Sequence, residues 1–331
     1  MRSKNAELRE VVAIFCSDLH LSLKPPIWRS AEPNWLSAQA RPLEEVRDLQ
    51  EKYECPVICA GDVFDRSRKI ADGWNAPAEL INFAIDQLPD MYAIPGQHDL
   101  PNHQYEDIHR SAYWTLVEAG KIKNILPGDI TIADDANKNK GLVVSGFPPG
   151  YKIKPPQQCH DIVDGWIDIA VIHDYIWIPG YSYPKAPDEN KVSKNLSLLE
   201  GYDIAVYGDN HKGFYTNRFP SKDPHYPRIF NCGTLMRRKS DEIDYKPQVG
   251  LLMSDGSVTP YYLDISQDKY IPKAEEQVKA MLDMGEFFDE LEKLGKTALD
   301  FVEAMKEFLH RGKTSTEAKQ IILDTMESKK H

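Results

Sequence analysis

With 331 residues, of which 41% are hydrophobic and 27% charged, the chain has the composition of a globular protein with room for one large domain and a small appendage. No segment approaches the roughly 18 consecutive apolar residues of a membrane span, and the polar N-terminus does not resemble a signal peptide, so no membrane association is expected. The net charge of −11 excludes a uniformly basic surface, so contacts with nucleic-acid phosphates would have to come from local basic clusters.

Six continuously apolar runs in the first two thirds of the chain have the length and pattern of strands covered on both faces. In chain order they cover residues 11–16, 57–60, 91–94, 142–144, 169–172 and 204–207. Segments of helical periodicity lie between several of them, at residues 42–52, 77–88 and 111–119. This alternation predicts an α/β layered domain whose ligand site lies beyond the carboxyl ends of the strands.

The pattern changes toward the C-terminus. Residues 249–253 and 258–265 are predicted as strands joined by an Asp-Gly hairpin turn, and a helical pattern begins at Lys273. We therefore expect a large domain over residues 1–270 and a C-terminal helical segment over residues 271–331. About sixty residues bury too little apolar surface to be stable alone, so this segment must pack on something else.

Five short blocks rich in Asp and His directly follow apolar runs predicted as strands. In chain order the blocks are Asp18-Leu19-His20, Gly61-Asp62, Gly96-Gln97-His98-Asp99, His173-Asp174 and Gly208-Asp209-Asn210-His211. The nitrogen and oxygen atoms of these side chains are ligands of transition metals. Because loops that follow the strands of one sheet converge, the blocks predict a single polar site. The chemistry that needs such a site is two-metal hydrolysis of a phosphate ester.

Individual residues of the blocks suit this chemistry. Asp18 and His20 lie two positions apart, so both side chains can face the same side, and the two carboxylate oxygens of Asp62 can bridge two cations. We predict that His98 stabilises the transition state or protonates the leaving oxygen, and that Asp99 orients or charges this histidine. Imidazole and carboxylate ligands together suit Mn, Fe or Zn better than Ca.

The same blocks resemble the DxH, GD, GNH(D/E), H and GHxH motifs of the calcineurin-like metallophosphoesterase superfamily, over residues 12–211. The resemblance implies an α/β fold, a four-layer αββα sandwich of two sheets flanked by helices, with the C-terminal helical segment as an appendage. It also implies two metal sites that share one carboxylate. The first would use Asp18, His20, Asp62 and His211, and the second would use Asp62, Gln97, His173 and Asp209.

Two residues depart from the family pattern, and both belong to the implied second site. Gln97 replaces the usual Asn, and Asp209 replaces the usual first His of GHxH. An oxygen ligand in place of an imidazole makes the site harder and more anionic, which favours Mn or Mg over Zn. We therefore expect two divalent ions, with Mn preferred and Mg or Fe as alternatives. A weakly held or absent second ion is the other outcome that these two residues leave open.

Finer features resemble one branch of the superfamily, the SbcD-type DNA repair nucleases. They are residues 17–21, residues 61–65, and residues 231–238, which are similar to the NPGS segment of that branch. The resemblance implies DNA as substrate and an SbcC-like coiled-coil ATPase as partner, to which the C-terminal segment would dock. A second copy of the chain, or its own large domain, is the alternative partner of that segment.

Two basic clusters and two aromatic loops are candidate DNA contacts. The clusters contain Arg66, Arg68 and Lys69, and Arg237, Arg238 and Lys239. The loops, at residues 24–41 and 175–190, carry Trp and Tyr side chains that could stack on exposed bases. Ordinary solvated charge, and aromatic side chains that pin each loop to the domain, are the alternative interpretations.

Three functions fit these observations. The first is a metal-dependent DNA nuclease subunit, and the second is a phosphatase or phosphodiesterase acting on nucleotides or phosphoproteins, which the acidic charge favours. The third is a catalytically weak metal-binding scaffold in a DNA-processing complex, which Gln97 and Asp209 suggest. The five cysteines lack CxxC spacing, so we expect buried free thiols and a cytoplasmic location.

Overall fold

The computed structural model describes residues 9–65, 69–70, 73–74, 76–125, 129–134, 137–156, 165–216 and 227–272. The chain divides into two compact units, one of Met1–Pro26 and Glu32–Lys269 and the other of Ile27–Ala31 and Tyr270–His331. Within the second unit, the rings of Trp28 and Tyr270 stack with centroids 4.1 Å apart. The helices predicted after Lys273 lie outside the described residues, and the boundary at residue 270 stays a prediction.

Strands within the described residues form two six-stranded sheets and one two-stranded ribbon. In chain order the strands are β1 (Val11–Cys16), β2 (Val57–Cys59), β3 (Lys69–Ile70), β4 (Gly73–Trp74), β5 (Met91–Ala93), β6 (Ile122–Asn124), β7 (Asp129–Asp134), β8 (Asn137–Phe147), β9 (Trp166–His173), β10 (Ile204–Gly208), β11 (Phe214–Thr216), β12 (Arg228–Asn231), β13 (Gln248–Met253) and β14 (Val258–Tyr262). The six apolar runs predicted as strands all lie in these elements, with ends that differ by a few residues. The longest difference is at β8, which extends well beyond the predicted residues 142–144.

The central strands of each sheet run parallel, so their carboxyl ends share an edge. The first sheet has the order β14-β13-β1-β2-β5-β6, and β1, β2 and β5 are mutually parallel. The second has the order β11-β12-β10-β9-β8-β7, and β8, β9, β10 and β12 are parallel. The predicted hairpin is present as the antiparallel pair β13–β14.

The two sheets pack face to face and share a fully apolar interior. Phe15 and Ile58 of the first sheet and Ile169 and Val206 of the second belong to one cluster with no solvent exposure. Neighbouring residues point to the opposite faces, as the strand period of two requires, and Ile14 belongs to the outer cluster of the first sheet. Burial on both faces explains why the strands are continuously apolar.

Helices cover the outer faces of both sheets, which gives the four-layer αββα arrangement. The α-helices are α1 (Trp35–Tyr53), α2 (Ala78–Gln87), α3 (Ala112–Glu118) and α4 (Val192–Asn195). Short 3-10 helices lie at Ile27–Arg29, Pro101–His103, Tyr105–Arg110, Asp188–Asn190, Leu196–Leu199 and Ser240–Glu242. Helices α1 to α3 bury their apolar residues against the first sheet, and α4 with the 3-10 helix that follows it does so against the second. No helix among the described residues has the length and apolar character of a membrane span.

Helix α1 begins seven residues before the predicted start at residue 42, so the loop predicted over residues 24–41 is wrong from Trp35 onward. The side chain of Asn34 accepts a hydrogen bond from the backbone N–H of Ser37 at 3.0 Å and thereby caps the helix. Pro42 lies inside the helix and is buried on the same side as Trp35 and Leu43. Tertiary burial of this apolar face therefore outweighs the cost of an internal proline.

Candidate metal centre

The predicted blocks converge at one edge of the sandwich, with ligands from both sheets. Asp18 and His20 follow β1, Asp62 follows β2, His173 ends β9, and His211 follows β10. Three overlapping groups of side chains each place their ligand atoms within 4.8 Å of one another. The groups are Asp18, His20 and His211; His20, Asp62 and His98; and Asp18, Asp62 and His173.

Asp62 belongs to two of these three groups, as Asp18 and His20 do. Its Oδ2 atom is 3.4 Å from Nε2 of His173, 3.8 Å from Nε2 of His20 and 3.9 Å from Nε2 of His98. Its Oδ1 atom accepts a hydrogen bond from the backbone N–H of His98 at 2.9 Å. We call Asp18, His20 and His211 the Asp18 side of the centre, and Gln97, His173 and Asp209 the Gln97 side; Asp62 joins them.

The backbone at the ligand positions adopts a conformation that side chains rarely take. Asp18, His20, Asp62 and Asp209 have φ angles of 52°, 48°, 56° and 76°. Such left-handed residues turn the chain sharply after each strand, and Asp and His tolerate this region better than branched or bulky residues do. Strand ends followed by left-handed turns thus direct the ligands of both sheets toward one point.

Glycines allow the loops to approach closely at this point. Gly61 has a φ of +95°, and a Cβ atom on it would lie 2.5 Å from Nδ1 of His173. A Cβ atom on Gly96 would lie 2.1 Å from Oδ1 of Asp62, and one on Gly208 would lie 2.4 Å from the carbonyl oxygen of Ala60. Any side chain at these three positions would displace a ligand or separate the loops.

The donor set fits divalent cations. Asp62 Oδ2 and His173 Nε2 are buried and have no hydrogen-bond partner in the described structure, although they face each other. The Nε2 atoms of His20 and His211 also face each other, at 3.1 Å. Buried polar atoms without hydrogen bonds are costly, and imidazole nitrogens and carboxylate oxygens directed at one point are the ligands that transition metals take.

The electrostatics of the centre also call for positive charge. Burial opposes ionisation of Asp62, but the charges of His173 and His20 hold its pKa well below the usual range. Burial works against protonation of His173 too, yet the charges of Asp62, Asp18 and Asp209 raise its pKa. Positive charge near these carboxylates therefore stabilises the centre, and divalent cations would supply it in place of protons on the histidines.

On the Asp18 side, His211 presents Nδ1 to an acceptor and Nε2 to the centre, since its Nδ1 lies 3.4 Å from Oε1 of Glu242. Nδ1 of His20 makes no hydrogen bond among the described residues and lies 3.8 Å from Oδ1 of Asp65. His173, on the Gln97 side, follows the same rule as His211, since its Nδ1 is 2.5 Å from the carbonyl oxygen of Ala60. An acceptor at Nδ1 fixes the ring orientation and leaves Nε2 as the ligand atom.

Glu242 and Asp65 were not predicted as site residues. Glu242 is buried, and its Oε2 accepts the backbone N–H groups of Arg238 and Lys239. The burial of Glu242 opposes its ionisation, but the hydrogen bond from His211 and these backbone donors lower its pKa. Since Glu242 and His211 lie on separate loops, no local pattern in the sequence marks the pair.

On the Gln97 side, the two residues that depart from the family pattern bond to each other. The amide nitrogen of Gln97 donates to Oδ1 of Asp209 at 2.6 Å, and the backbone N–H of Asp209 donates to both carboxylate oxygens of Asp18 at 3.2 Å. Of the implied second set, Asp62 and His173 lie in a candidate ligand group together with Asp18. Gln97 and Asp209, the two residues that depart from the family pattern, are thus joined by a hydrogen bond.

His98 and Asp99 lie in different surroundings. The imidazole of His98 is one-third exposed, lies 3.9 Å from Asp62 and meets the ring of His20 edge-on. Asp99 is buried and accepts backbone hydrogen bonds from Val63, Phe64 and Gly96 at 2.9–3.1 Å. Both Asp99 oxygens thus tie the β2 loop to the β5 loop, and that Asp99 orients or charges His98 stays a prediction.

The pKa of Asp99 reflects its buried position behind the ligands. Burial and the negative charge of Asp62 raise it to about 7, against the opposing effect of the three backbone donors. A cation held by Asp62 would offset that negative charge.

The predicted DNA-contacting clusters have different outcomes. Arg66 and Arg68 lie outside the described residues. Arg237 and Arg238 are each only 9% exposed, which corrects the prediction of an exposed basic cluster. Arg238 donates to the carbonyl oxygen of His20 at 2.6 Å and pairs with Asp65 at 3.0 Å, so its guanidinium supports the metal centre.

The aromatic side chains of the two predicted loops include both buried and exposed residues. Trp35 is buried with Ala38 and Met236, and Trp177 is 9% exposed and donates to the carbonyl oxygen of Pro187. Tyr181 and Tyr183 are 41% and 50% exposed. The first two therefore pin the chain to the domain, while the two tyrosines are accessible to a ligand.

Comparison with known proteins identifies the family from the same part of the chain. The model of the calcineurin-like phosphoesterases matches residues 12–216, which include every ligand block. The chain belongs to the calcineurin-like phosphoesterase family. Its four-layer α/β fold and its clustered ligands are those of a metal-dependent phosphoester hydrolase that takes divalent ions.

Other comparisons add little to this family assignment. No curated protein matches this calcineurin-like phosphoesterase. Among solved structures, the calcineurin-like phosphoesterase YfkN from Bacillus subtilis is similar at 12% identity, with a TM-score of 0.42, over 89% of this chain and 100% of that one.

Proposed function

We propose that this chain is a metal-dependent phosphodiesterase that cleaves DNA. The observation that carries the proposal is the clustering of three overlapping ligand groups, of which two contain Asp62 and one contains His98. Two cations bound there would coordinate the phosphate oxygens and lower the pKa of a water molecule. The side chains from both sheets would hold these ions and thereby orient the phosphate. The rings of His20 and His173 are buried, which fixes the centre before substrate binds.

His98 is proposed as the residue that acts on the leaving oxygen. Its ring is one-third exposed, whereas His20 and His173 are almost completely buried, so among these three it has the best access to substrate. Its backbone N–H is fixed on Asp62 at 2.9 Å, which positions the ring relative to the phosphate. A proton on its imidazole can then neutralise charge that develops on the departing alkoxide.

Manganese is the proposed metal. The Gln97 side offers the oxygen atoms of Gln97 and Asp209 together with the imidazole of His173. Oxygen-rich sites with few imidazoles favour Mn or Mg over Zn. Loading the protein with each metal and comparing hydrolysis rates tests this assignment, and a clear preference for Zn would contradict it.

The DNA substrate and the ATPase partner are proposed from the resemblance of residues 17–21, 61–65 and 231–238 to SbcD-type nucleases. In this proposal the segment 271–331 docks on an SbcC-like coiled-coil ATPase, with a second copy as the alternative. The buried thiols of Cys16, Cys55, Cys59 and Cys232 support a reducing compartment, and we propose the cytoplasm.

Parallel assays on three substrates test the proposal. Linear DNA, bis(p-nitrophenyl) phosphate and p-nitrophenyl phosphate are each incubated with the full chain and Mn. Cleavage of both DNA and the aryl diester is expected, with the monoester slower. Hydrolysis of the monoester alone would indicate a phosphatase, and binding of metal without hydrolysis of any substrate would indicate a scaffold.

A nucleotide phosphodiesterase is the second candidate, because Arg237 and Arg238 are buried and the net charge is −11. A chain that cleaves nucleotide diesters but neither binds nor cuts DNA would establish this alternative.

The docking segment is tested by truncation at Ile271. We expect hydrolysis of the aryl diester to stay nearly unchanged and association with the ATPase, or with a second copy, to be lost. Aggregation of the truncated chain, or loss of its metal-dependent activity, would show that the segment belongs to the core of the large domain.

A further inference from the structure

A cavity of about 400 Å³ opens directly beside the metal centre. One wall consists of the Gln97 side, namely Gln97, His173 and Asp209. The opposite wall is apolar and aromatic and includes Phe147, Tyr151 and Ile153. A group bound here would therefore lie next to a phosphate held at the metal centre.

The aromatic wall is preformed by a tight turn after β8. The backbone N–H of Tyr151 donates to the carbonyl oxygen of Pro148 at 3.0 Å, Pro149 takes the second turn position, and Gly150 has a φ of +83°. This is the pattern of a type II turn, in which Pro presets one angle and Gly supplies the positive φ. No atom lies within 4 Å of a Cβ built on Gly150, so its φ angle, not lack of space, requires glycine.

The turn holds the ring of Tyr151 at the cavity. The ring packs edge-on against Tyr105, with centroids 5.2 Å apart, and 39% of the residue is exposed. Phe147, at the end of β8, is fixed by an edge-on contact with Tyr202. Binding of a ligand that stacks on this wall would cost little conformational entropy, because the wall is already in place.

The charged side chains that line the cavity disfavour a second phosphate. Asp174 and Asp209 both line it, and none of its described lining residues is Lys or Arg. The cavity therefore suits a neutral ring with N–H donors and disfavours an anionic group.

We propose that this cavity binds the nucleobase of the nucleotide whose phosphate is cleaved, with the base stacked on Tyr151 and its N–H groups facing Asp174. The proposal rests on the proposed phosphodiesterase function and adds a binding site for the base of the nucleoside ester. The volume lies near the lower end of the roughly 300–1,000 Å³ typical of ligand sites, which suits one nucleoside.

Two diesters with the same leaving group test the subsite. They are the p-nitrophenyl ester of thymidine 5′-phosphate and methyl p-nitrophenyl phosphate, assayed with the Mn-loaded full chain. Tyr151→Ala should lower kcat/KM on the thymidine ester by about tenfold, the effect of one lost stacking partner, and leave the methyl ester within about twofold. Tyr151→Phe should restore most of the loss. Tyr262→Ala, on β14 with 58% exposure, is the matched control and should change neither substrate.

Equal losses on both esters, or no loss on the thymidine ester, would overturn the subsite. Calorimetric titration with thymidine 5′-monophosphate and with methyl phosphate gives a readout that does not depend on turnover. Preferential binding of the nucleotide that Tyr151→Ala removes would support the subsite even if neither diester were hydrolysed, in which case only the proposed function would fail. Equal binding of both ligands would overturn it.

Discussion

The two sides of the metal centre are built differently, although they share Asp62. On the Asp18 side, Nδ1 of His211 contacts the carboxylate of Glu242, and Nδ1 of His20 lies 3.8 Å from the carboxylate of Asp65. On the Gln97 side, Gln97 and Asp209 are held by each other and line the cavity. The first side is supported like a permanent ion site, whereas the second faces the space in which substrate would lie. Both departures from the family motifs thus lie on the half of the centre that borders the cavity.

The strongest way to break both sides at once is Asp62→Asn. Because this carboxylate lies within 4 Å of His20, His98 and His173, the amide would remove charge from both ion sites. We expect a loss of at least about a thousandfold in kcat on bis(p-nitrophenyl) phosphate, together with lower metal content. Asp48→Asn, an exposed change on α1, serves as control. Full Mn-stimulated activity in the Asp62 variant would contradict the assignment.

His98→Ala separates catalysis from ion binding. If His98 acts on the leaving oxygen, kcat should fall by about a hundredfold while metal content stays close to two ions per chain. Metal analysis beside steady-state kinetics checks this, and His109→Ala, an exposed histidine of a 3-10 helix, is the matched control. Loss of an ion from the His98 variant would make it a ligand on one of the two sides.

Gln97→Asn combined with Asp209→His restores the family residues on the Gln97 side only. The added imidazole should tighten binding of the second ion and shift the preference toward softer metals such as Zn. Titration calorimetry gives stoichiometry and affinity for each metal. If the unaltered chain already holds two ions tightly and the double variant changes nothing, the two sides are equivalent as ligands.

Glu242→Gln sharpens the comparison with the smallest change. The amide keeps an acceptor for the backbone N–H groups of Arg238 and Lys239 but removes the charge that supports His211. We expect metal affinity on the Asp18 side to fall by about tenfold, with no effect on the other side. Asp241→Asn, its exposed neighbour, should leave both affinities unchanged. An equal loss of metal affinity in the two variants would show that Glu242 does not support the metal centre.

The ligands were predictable because a short local pattern in the sequence marks each of them. Apolar runs end at Cys16 and Cys59, and Asp or His follows within a few residues, so strand and ligand are read from one short segment. The support of those ligands was not predictable. Glu242 approaches His211, and Gln97 approaches Asp209, only after both sheets have assembled, and no spacing in the sequence records this.

Arg238 and Trp35 illustrate the same limit for single residues. A pair of arginines looks alike in sequence whether it is exposed or closed under a loop, and only the fold places the Arg238 guanidinium on the His20 carbonyl. Trp35 looked like part of a loop because Pro42 suggested a helix start. Capping by Asn34 and burial of the Trp35 face decided otherwise.

The left-handed backbone at Asp18, His20, Asp62 and Asp209 restricts how these positions can change over evolutionary time. Branched residues are nearly forbidden there, while Asn, Asp, His and Gly are tolerated. A lineage that lost the need for metal would therefore drift at these sites toward Asn or Gly instead of Val or Ile. The turn geometry would outlast the chemistry, and a descendant without activity would still show small polar residues or glycine after each of these strands.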